Sequence, residues 1–206
     1  MNVLLIGATG ATGQEILALL LGADHKVTAL VRNPEKVGMK NVRLDIVKAE
    51  IEDQETIVKM VEGKDAVLVA FGPRSLEKSD AQETLMRNLV AGMKKHGVKR
   101  IINLSAWGAG STARYSNPIF KLARWTILRN VFDDKERGQK ILTESGLDYV
   151  NVCPGRLLNK PVRQGVRASV DGKGLKATMT RADLAQWMVD QLTSDTWIGK
   201  DPIIGY

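Results

Sequence analysis

Cysteine and long apolar runs are the features in which this 206-residue sequence is poorest. Its one cysteine, Cys153, cannot form an internal disulfide, and such scarcity fits a reducing compartment. No apolar stretch approaches the roughly 20 residues that cross a bilayer, and the first residues do not resemble a secretory signal peptide. We therefore expect a cytoplasmic protein of one domain that has no membrane partner.

Tyrosine and histidine are also scarce, and their positions exclude several kinds of active site. Alcohol and sugar dehydrogenases of the α/β class use a tyrosine followed four positions later by a lysine, which helps the phenol to transfer a proton. Four residues after Tyr115 and Tyr149 come Ile119 and Cys153, and Tyr206 ends the sequence. The two histidines and the cysteine form no metal-ligand pattern, so no metal site is expected. Any proton in a reaction would have to come from the solvent or the ligand.

The glycines, by contrast, cluster near the start at regular offsets. The apolar run 2–6 is followed by Gly7, Gly10 and Gly13, and then by a helical pattern. This order predicts a strand, a tight turn and a helix start, which together can hold a dinucleotide pyrophosphate on backbone N–H groups. The alternative is that the glycines only shape a turn. The residues assigned to the cofactor here are Gly7, Thr9, Gly10, Ala11, Thr12 and Gly13.

Apolar strand patterns alternate with helical patterns along most of the chain, as in sheets that helices cover on both faces. We predict an α/β fold: a single-domain, Rossmann-like, doubly wound parallel sheet with helices on both faces. Residues 1–152 would form the dinucleotide-binding core and residues 153–206 a substrate-side C-terminal segment, with a short strand pair near 166–178. The expected strands are 2–6, 26–31, 42–47, 65–70, 99–104 and 148–152, and the expected helices are 11–22, 53–62, 80–96, 118–145 (whole or broken) and 181–193.

Residues that directly follow the strands should meet at the ligand-binding edge of such a sheet. Arg32 follows the second strand, about 20 residues after the glycines, where a guanidinium suits the 2′-phosphate of NADP(H) and a carboxylate would suit NAD(H). We therefore expect NADP(H) as the cofactor, although Arg32 could instead face solvent. Glu50 and Ile51, after the third strand, would flank the adenine.

The fourth and fifth strands are followed by further candidates. Phe71 and Gly72 would lie along the cofactor, and Arg74 could reach a phosphate or an acidic substrate, or could face water. Ser105 could hydrogen-bond to the nicotinamide or to a substrate heteroatom, or could cap the turn in which it lies. Without a tyrosine–lysine pair, flavins, quinones and linear tetrapyrroles fit as hydride acceptors, whereas simple ketones and sugars do not.

The net charge of +7 leans toward the C-terminal part of the chain. It could mark a solvated basic face, or a positive rim that attracts an anionic ligand. Aromatic residues make up only 5% of the chain and no helix-turn-helix pattern is present, so we expect no nucleic-acid partner. Between positions 156 and 181, one acid, Asp171, stands against Arg156, Lys160, Arg163, Arg167, Lys173, Lys176 and Arg181.

These motifs together resemble those of the NmrA-like atypical short-chain dehydrogenase/reductases, and most closely the biliverdin-IXβ reductase/flavin reductase group. The resemblance extends over nearly the whole chain. It is carried by Gly7-Ala8-Thr9-Gly10-x-Thr12-Gly13, Leu30-Val31-Arg32, Gly72-x-Arg74, Ser105-Ala106, Asp133-Asp134, Glu144-Ser145-Gly146-Leu147-x-Tyr149-Val150 and Asp171-Gly172-x-Gly174.

The resemblance implies roles for matching positions. Thr9, Gly10 and Thr12 would hold the pyrophosphate, and Arg32 the 2′-phosphate. Ser105 would occupy the place of the family's active-site serine, beside the nicotinamide and the ligand.

The chain departs from the group on the substrate side. Lys135 and Arg156 stand where the group has histidines, and Trp107 begins a glycine-rich stretch where the group has bulky apolar residues. We assign Trp107, Lys135 and Arg156 to substrate binding. The two cations, Lys135 and Arg156, would favour the propionates of a tetrapyrrole or the phosphate of a flavin.

Two functions follow from these observations. The first is an NADPH-dependent reductase that transfers hydride to flavins (FMN, FAD or riboflavin) or to biliverdin-like tetrapyrroles. Its partner would be a small planar anionic substrate (flavin, tetrapyrrole or quinone), and the protein would be a monomer. The alternative is a non-catalytic, NmrA-like redox sensor that binds NADP(H).

Overall fold

The computed structural model describes residues 1–72, 75–116 and 118–206. Strands and helices alternate along the first three quarters of the chain, as the hydrophobic pattern predicts. The strands are β1 (Asn2–Ile6), β2 (Lys26–Val31), β3 (Leu44–Lys48), β4 (Ala66–Val69), β5 (Arg100–Leu104), β6 (Asp148–Pro154), β7 (Arg156–Leu158), β8 (Arg167–Ser169), β9 (Thr178–Thr180) and β10 (Ile203–Gly205). The helices are α1 (Ala11–Gly22), α2 (Gln54–Val61), α3 (Ala81–His96), α4 (Pro118–Trp125), α5 (Arg129–Thr143) and α6 (Arg181–Asp190), with 3₁₀ turns at Pro34–Lys36 and Gly110–Tyr115.

Within the described residues, eight strands form one sheet in the order β3-β2-β1-β4-β5-β6-β10-β8. All neighbours are parallel except β8, which runs antiparallel to β10. The strand order reverses between β1 and β4, which is where open α/β sheets bind their ligands. The doubly wound α/β fold expected from the sequence is confirmed.

Side chains alternate along each strand, so the sheet contributes residues to a hydrophobic layer on each of its faces. In β1, Val3 and Leu5 pack into the layer beneath α1 and α6, whereas Leu4 and Ile6 pack into the opposite layer. The opposite layer is completed by α2, α3 and α5, which pack side by side. The carboxyl ends of β1, β4, β5 and β6 therefore share one edge, left open between two helical layers.

The strand pair expected near 166–178 is wrong. β8 pairs with β10, and β9 pairs with β7 to form a separate two-stranded sheet. Each of these strands is three residues long. A strand of that length shows no periodicity, and its partner is chosen by contacts far away in the sequence.

The sequence predicted a helix over 118–145 that was either whole or broken, and in the structure it is broken into two helices. α4 ends at Trp125 and α5 begins at Arg129, and near the break the Thr126 hydroxyl donates to the Leu122 carbonyl oxygen. The other expected elements agree with the structure to within three residues at each end, and the largest difference is at α6, which ends at Asp190. None of the helices in the described part of the chain has the length and apolar character that crossing a bilayer requires.

Candidate functional site

The glycine-rich turn joins β1 to α1 through contacts that leave no room for side chains. Gly7 has a φ of +86°, and a Cβ placed on it would lie 2.7 Å from the Ala70 carbonyl oxygen. A Cβ on Gly13 would lie 2.0 Å from the Gly7 carbonyl oxygen. The Gly10 N–H donates to that same oxygen at 3.0 Å. The helix start is therefore pressed directly against the carboxyl ends of β1 and β4.

The first turn of α1 is open to an anion. Gly10 precedes the helix, no described side chain caps it, and the first turn carries no acidic residue. The first N–H groups of a helix have no partner within the helix, and together they present a partial positive charge. Thr12 is buried and Thr9 is half-buried beside this turn, while Ala11 is exposed. The turn therefore has N–H groups for an anion that are unpaired within the described residues, and its role in holding the pyrophosphate stays a prediction.

Arg32 lies at the carboxyl end of β2, and one nitrogen of its guanidinium, the buried Nη2, has no hydrogen-bond partner in the described residues. Its Nε lies 3.9 Å from Oε2 of Glu50, whose side chain is 61% exposed, so the pair is long and well hydrated. A buried guanidinium donor without a partner is costly, and a phosphate group would satisfy it.

The residues assigned to the adenosine side of the cofactor line one cleft. This cleft has a volume of about 200 Å³ and lies beside the carboxyl ends of β2, β3 and β4. Its lining includes five residues that the sequence assigned to the cofactor: Arg32, Glu50, Ile51, Phe71 and Gly72. Arg74 lies outside the described residues.

Eight lining residues of this cleft were not assigned to the site by the sequence analysis, and two of them, Gln82 and Asp134, hold its walls together. Gln82 donates from Nε2 to the Phe71 carbonyl oxygen at 3.0 Å. The Asp134 carboxylate accepts from the Gln82 and Glu83 N–H groups at 3.1 and 3.2 Å, and so caps α3 from α5. Sequence reasoning finds caps next to their helix, and Asp80, which precedes α3, makes no side-chain cap.

Ser105 is held inside the structure at the carboxyl end of β5. Its N–H donates to the Val152 carbonyl oxygen at 2.8 Å, and its Oγ accepts from Gln139 Nε2 at 2.6 Å. Ser105 is 5% exposed and lines neither of the two cavities described here. Burial raises the pKa of the neighbouring Cys153 thiol to about 12, so this thiol is not a nucleophile at neutral pH.

Lys135 lies on α5 beside Ser105. Its Nζ donates to the Leu104 carbonyl oxygen at 3.5 Å, and its side chain is half-buried. Burial lowers the pKa of Lys135 to about 8, because the ammonium is desolvated. Lys135 lines neither cavity, so its substrate-binding role stays a prediction.

A second, larger cavity of about 640 Å³ opens beyond the ends of β5 and β6. Trp107 and Arg156, both assigned to the substrate, line it. Trp107 is fixed by its N–H, which donates to the Pro154 carbonyl oxygen at 2.8 Å. Two polar atoms of its lining residues, Trp107 Nε1 and Ser116 Oγ, are buried without a hydrogen-bond partner in the part of the chain that the structure describes.

The walls of this larger cavity were only partly predicted. Phe120 and Phe132 meet edge to face with ring centroids 5.6 Å apart, and the Arg114 guanidinium lies 4.7 Å from the Tyr115 ring centroid. Phe120 and Phe132 lie on separate helices, α4 and α5, so no local pattern brings them together. The lining residues not foreseen are Ala106, Tyr115, Ser116, Phe120, Leu128, Phe132, Pro154, Gly155, Ala177 and Thr178.

Across residues 1–72, 75–116 and 118–206, no three histidine, cysteine, aspartate or glutamate side chains come together as a metal site.

Comparison with known proteins gives one family and several similar chains. A family model described as NAD(P)H-binding matches residues 7–195. The chain is 29% identical over 201 residues to the uncharacterized sugar epimerase YhfK of Bacillus subtilis, covering 93% of this chain and 88% of that protein.

Two solved structures share the fold. A short-chain dehydrogenase/reductase from Veillonella parvula, in complex with NADP, has a TM-score of 0.81 and 19% identity, covering 100% of this chain and 94% of that one. The anaerobilin reductase ChuY from Escherichia coli O157:H7 has a TM-score of 0.82 and 18% identity, covering 100% and 97%.

Proposed function

Because this chain belongs to the NAD(P)H-binding family, we propose that it is an NADPH-dependent reductase of planar anionic acceptors such as flavins or biliverdin-like tetrapyrroles. One observation carries the proposal. The polar cleft beside Arg32 and the aromatic-lined cavity beside Trp107 open along the same carboxyl edge of the sheet. Such an arrangement suits a dinucleotide that reaches from one to the other.

The polar end of the site supports NADP(H) over NAD(H). Arg32 has a buried donor without a partner in the described residues, and the Glu50 carboxylate is 3.9 Å from its Nε. A 2′-phosphate would provide that partner, whereas a ribose hydroxyl would provide a weaker one. The backbone of Gly10–Gly13 would hold the pyrophosphate.

The larger cavity supports a planar, partly apolar acceptor. Bound NADPH would supply a hydride from its nicotinamide ring. Aromatic walls formed by Trp107, Phe120 and Phe132 favour a flat conjugated molecule, and Arg156 on the rim favours an anionic one.

Residues between the two cavities would hold rather than transform the acceptor. The Ser105 hydroxyl is already engaged by Gln139, so we assign it at most one hydrogen bond to the nicotinamide or the substrate. Lys135, with its pKa of about 8, would be an ammonium at neutral pH and would contribute positive charge near the same place.

Epimerase chemistry, which the name of YhfK suggests for that protein, is disfavoured here. No tyrosine of this chain is followed four positions later by a lysine. Hydride transfer to a conjugated acceptor needs no such pair, because the reduced acceptor can take its proton from water.

A steady-state screen tests the proposal. Oxidation of NADPH is followed with FMN, riboflavin, biliverdin isomers and quinones as acceptors, and binding of NADPH is measured separately by calorimetry. We expect turnover with at least one acceptor class. Tight NADPH binding without turnover would instead favour the redox-sensor function, and absence of NADPH binding would contradict both.

A pair of variants tests the acceptor site. Arg156→Met should raise the KM for FMN by about 10-fold, because one charge contact is lost, while the KM for riboflavin changes little. Lys160→Met, an equal charge change at an exposed position outside the cavity, is the control. Equal effects of the two variants on FMN would show that Arg156 acts only through net charge.

A further inference from the structure

Three large apolar side chains are exposed next to one another around α4. Leu122, Trp125 and Ile127 are 67%, 69% and 67% exposed. They lie within six residues, on α4 and the turn that follows it. Exposed apolar side chains are common singly, but a group of three that includes tryptophan indicates a binding surface. We call these residues the α4 patch.

The surroundings of the α4 patch are positively charged. From residue 108 to residue 132 the sequence contains four cations and no acid. Arg124 is neutralised by Glu136, and Arg129 lies 3.7 Å from Asp133. Arg114 and Lys121 are exposed, and neither has a carboxylate within 4 Å in the described residues. They are adjacent, since Lys121 Nζ donates to the Arg114 carbonyl oxygen at 3.3 Å.

We propose that the α4 patch docks this protein onto an anionic lipid surface. Leucine, isoleucine and tryptophan would enter the boundary between headgroups and acyl chains, and Arg114 and Lys121 would lie at the level of the lipid phosphates. Tryptophan suits this boundary because its ring is apolar and its N–H is polar. The sequence led us to expect no membrane partner because no segment can span a bilayer, but attachment to a surface does not require one.

A second copy of this chain suits the α4 patch less well. A two-fold symmetric contact would place the same residues opposite each other. Arg114 and Lys121 of one molecule would then face Arg114 and Lys121 of the other, and like charges repel. The three apolar side chains are each about two-thirds exposed. They project into solvent, which suits a fluid layer that adapts to them.

The inner side of the same segment borders the larger cavity. Phe120 and Leu128, which bracket the α4 patch in sequence, line that cavity. The segment thus separates the cavity from the proposed lipid surface. If the proposed reductase function holds, on which this step rests, an apolar quinone dissolved in the bilayer would have a short path to the site.

Vesicle co-sedimentation of the full chain tests the docking directly. We expect binding to phosphatidylcholine vesicles that contain about 30% phosphatidylglycerol, weaker binding to pure phosphatidylcholine, and weaker binding at high salt. The variant Leu122→Gln/Trp125→Gln/Ile127→Gln should bind the anionic vesicles about 10-fold less, since most of the inserted apolar surface is gone. Circular dichroism and a thermal melt check that it remains folded.

A matched control separates the α4 patch from general apolar exposure. Val42, Val162 and Val170 are 100%, 59% and 58% exposed and belong to other parts of the chain. The triple variant with glutamine at these three positions should bind anionic vesicles as the parent does. Equal losses in the two triple variants, or no binding of the parent, would overturn the proposal. A dimer in light scattering that the α4 variant abolishes would also overturn it, in favour of self-association.

Failure of the docking and failure of the reductase function can be told apart. Vesicle binding is measured without NADPH or acceptor, so it stands whether or not the protein turns over. The α4 triple variant should keep the parent's rate with water-soluble FMN, because none of its three residues lines either cavity. Only turnover of a bilayer quinone should fall.

Discussion

At the scale of single residues, Arg32 offers the sharpest test of cofactor choice. Replacing it with methionine removes the guanidinium but keeps the apolar stem. We expect Arg32→Met to weaken NADPH binding by about 10- to 100-fold, since charge-assisted hydrogen bonds to a phosphate are lost. NADH, which has no 2′-phosphate, should bind almost unchanged. Calorimetric titration with both nucleotides measures the difference.

Arg43→Met is the matched control for Arg32. Arg43 directly precedes β3, at the amino ends of the strands and away from the cleft, and there it pairs with Asp24. Its loss changes the net charge equally and should leave both nucleotides unaffected. A similar loss of NADPH and NADH affinity in Arg32→Met would contradict the phosphate role of Arg32.

Lys135 yields a prediction about stability and pH. In the native state the pKa of Lys135 falls to about 8 from the usual 10.5, because burial disfavours the ammonium. Below about pH 8, Lys135 is protonated in both the native and the unfolded protein, so the native state bears the full cost of desolvating the ammonium. Between the native and the unfolded pKa, the unfolded protein binds more protons than the native one. The free energy of unfolding therefore rises with pH in that range. Lys135→Met should therefore raise the free energy of unfolding at about pH 7 by about 1 to 2 kcal/mol, and less at about pH 9.5.

Urea denaturation at both pH values measures this effect. Lys140→Met on the same helix is the control, since the Lys140 side chain is 74% exposed and its partner Glu144 is 3.8 Å away. Its effect should stay within about 0.5 kcal/mol. A Lys135→Met protein that is less stable than the parent at neutral pH would show that the ammonium is satisfied by a partner.

At the scale of elements, the turn between β1 and α1 depends on glycine at position 13. A Cβ there would overlap the Gly7 carbonyl oxygen at 2.0 Å. Gly13→Ala must push α1 away from β1, which should destabilise the protein by about 1 to 3 kcal/mol. The same shift should weaken binding of both NADPH and NADH, because the N–H groups that hold the pyrophosphate move.

Gly22→Ala, at the other end of α1, is the control for Gly13→Ala. A Cβ on Gly22 meets nothing within 4 Å. Because alanine favours the helix over glycine, this variant should be as stable as the parent or more stable by up to about 1 kcal/mol. Unchanged nucleotide binding in Gly13→Ala would contradict the proposed seat of the pyrophosphate.

The elements that the sequence predicted well are those whose cause is local. β1, α1 and β2 agree with expectation because a buried strand, a glycine turn and an amphipathic helix each leave their pattern in adjacent residues. β7, β8, β9 and β10 do not, because three-residue strands derive their stability from distant partners.

The two parts of the candidate site differ in the same way in how far the sequence predicts them. Arg32, Glu50, Ile51, Phe71 and Gly72 follow strands, and the order of a doubly wound sheet brings strand ends together, so the cleft they line was predictable. The aromatic cavity was not, because its walls come from a 3₁₀ turn, α4, α5 and β7, whose packing leaves no pattern in the sequence.

At the scale of the whole molecule, the NAD(P)H-binding family expected from the motifs is confirmed by the family model over residues 7–195. The roles of individual site residues and the monomeric state stay predictions. Residues 153–206 are joined to the rest of the fold by the pairing of β10 with β6 and by the packing of α6 against α1. Polar contacts hold the parts of this segment to one another. The Asp183 carboxylate accepts from the Tyr206 hydroxyl, and also from the N–H groups of Arg163 and Gln164 at 2.9 and 3.1 Å.

The hydrogen bonds to Asp183 make part of the free energy of unfolding depend on pH in the acid range. Burial alone would raise the pKa of Asp183, but hydrogen bonds from Thr180, Tyr206 and the backbone hold it below the usual value of 3.8. A carboxyl group with a lowered native pKa stabilises the fold above its unfolded pKa, and this stabilisation is lost as the pH falls through the native pKa. Tyr206→Phe removes one of the donors and should cost about 1 to 3 kcal/mol at neutral pH.

Tyr149→Phe shows whether the charge on Asp183 is the cause. The Tyr149 hydroxyl donates to the Gly199 carbonyl oxygen at 3.0 Å, a neutral acceptor, so its loss should cost about 1 kcal/mol at every pH. The cost of Tyr206→Phe, measured by urea denaturation, should shrink as the pH falls below about 4, because protonated Asp183 no longer attracts the phenol as strongly. If both variants lose the same stability at neutral and acid pH, the Asp183 carboxylate does not contribute through its charge. The contact of Tyr206 with Arg163, whose guanidinium lies 4.5 Å from the ring centroid, would then be the main contact that holds Tyr206 within this segment.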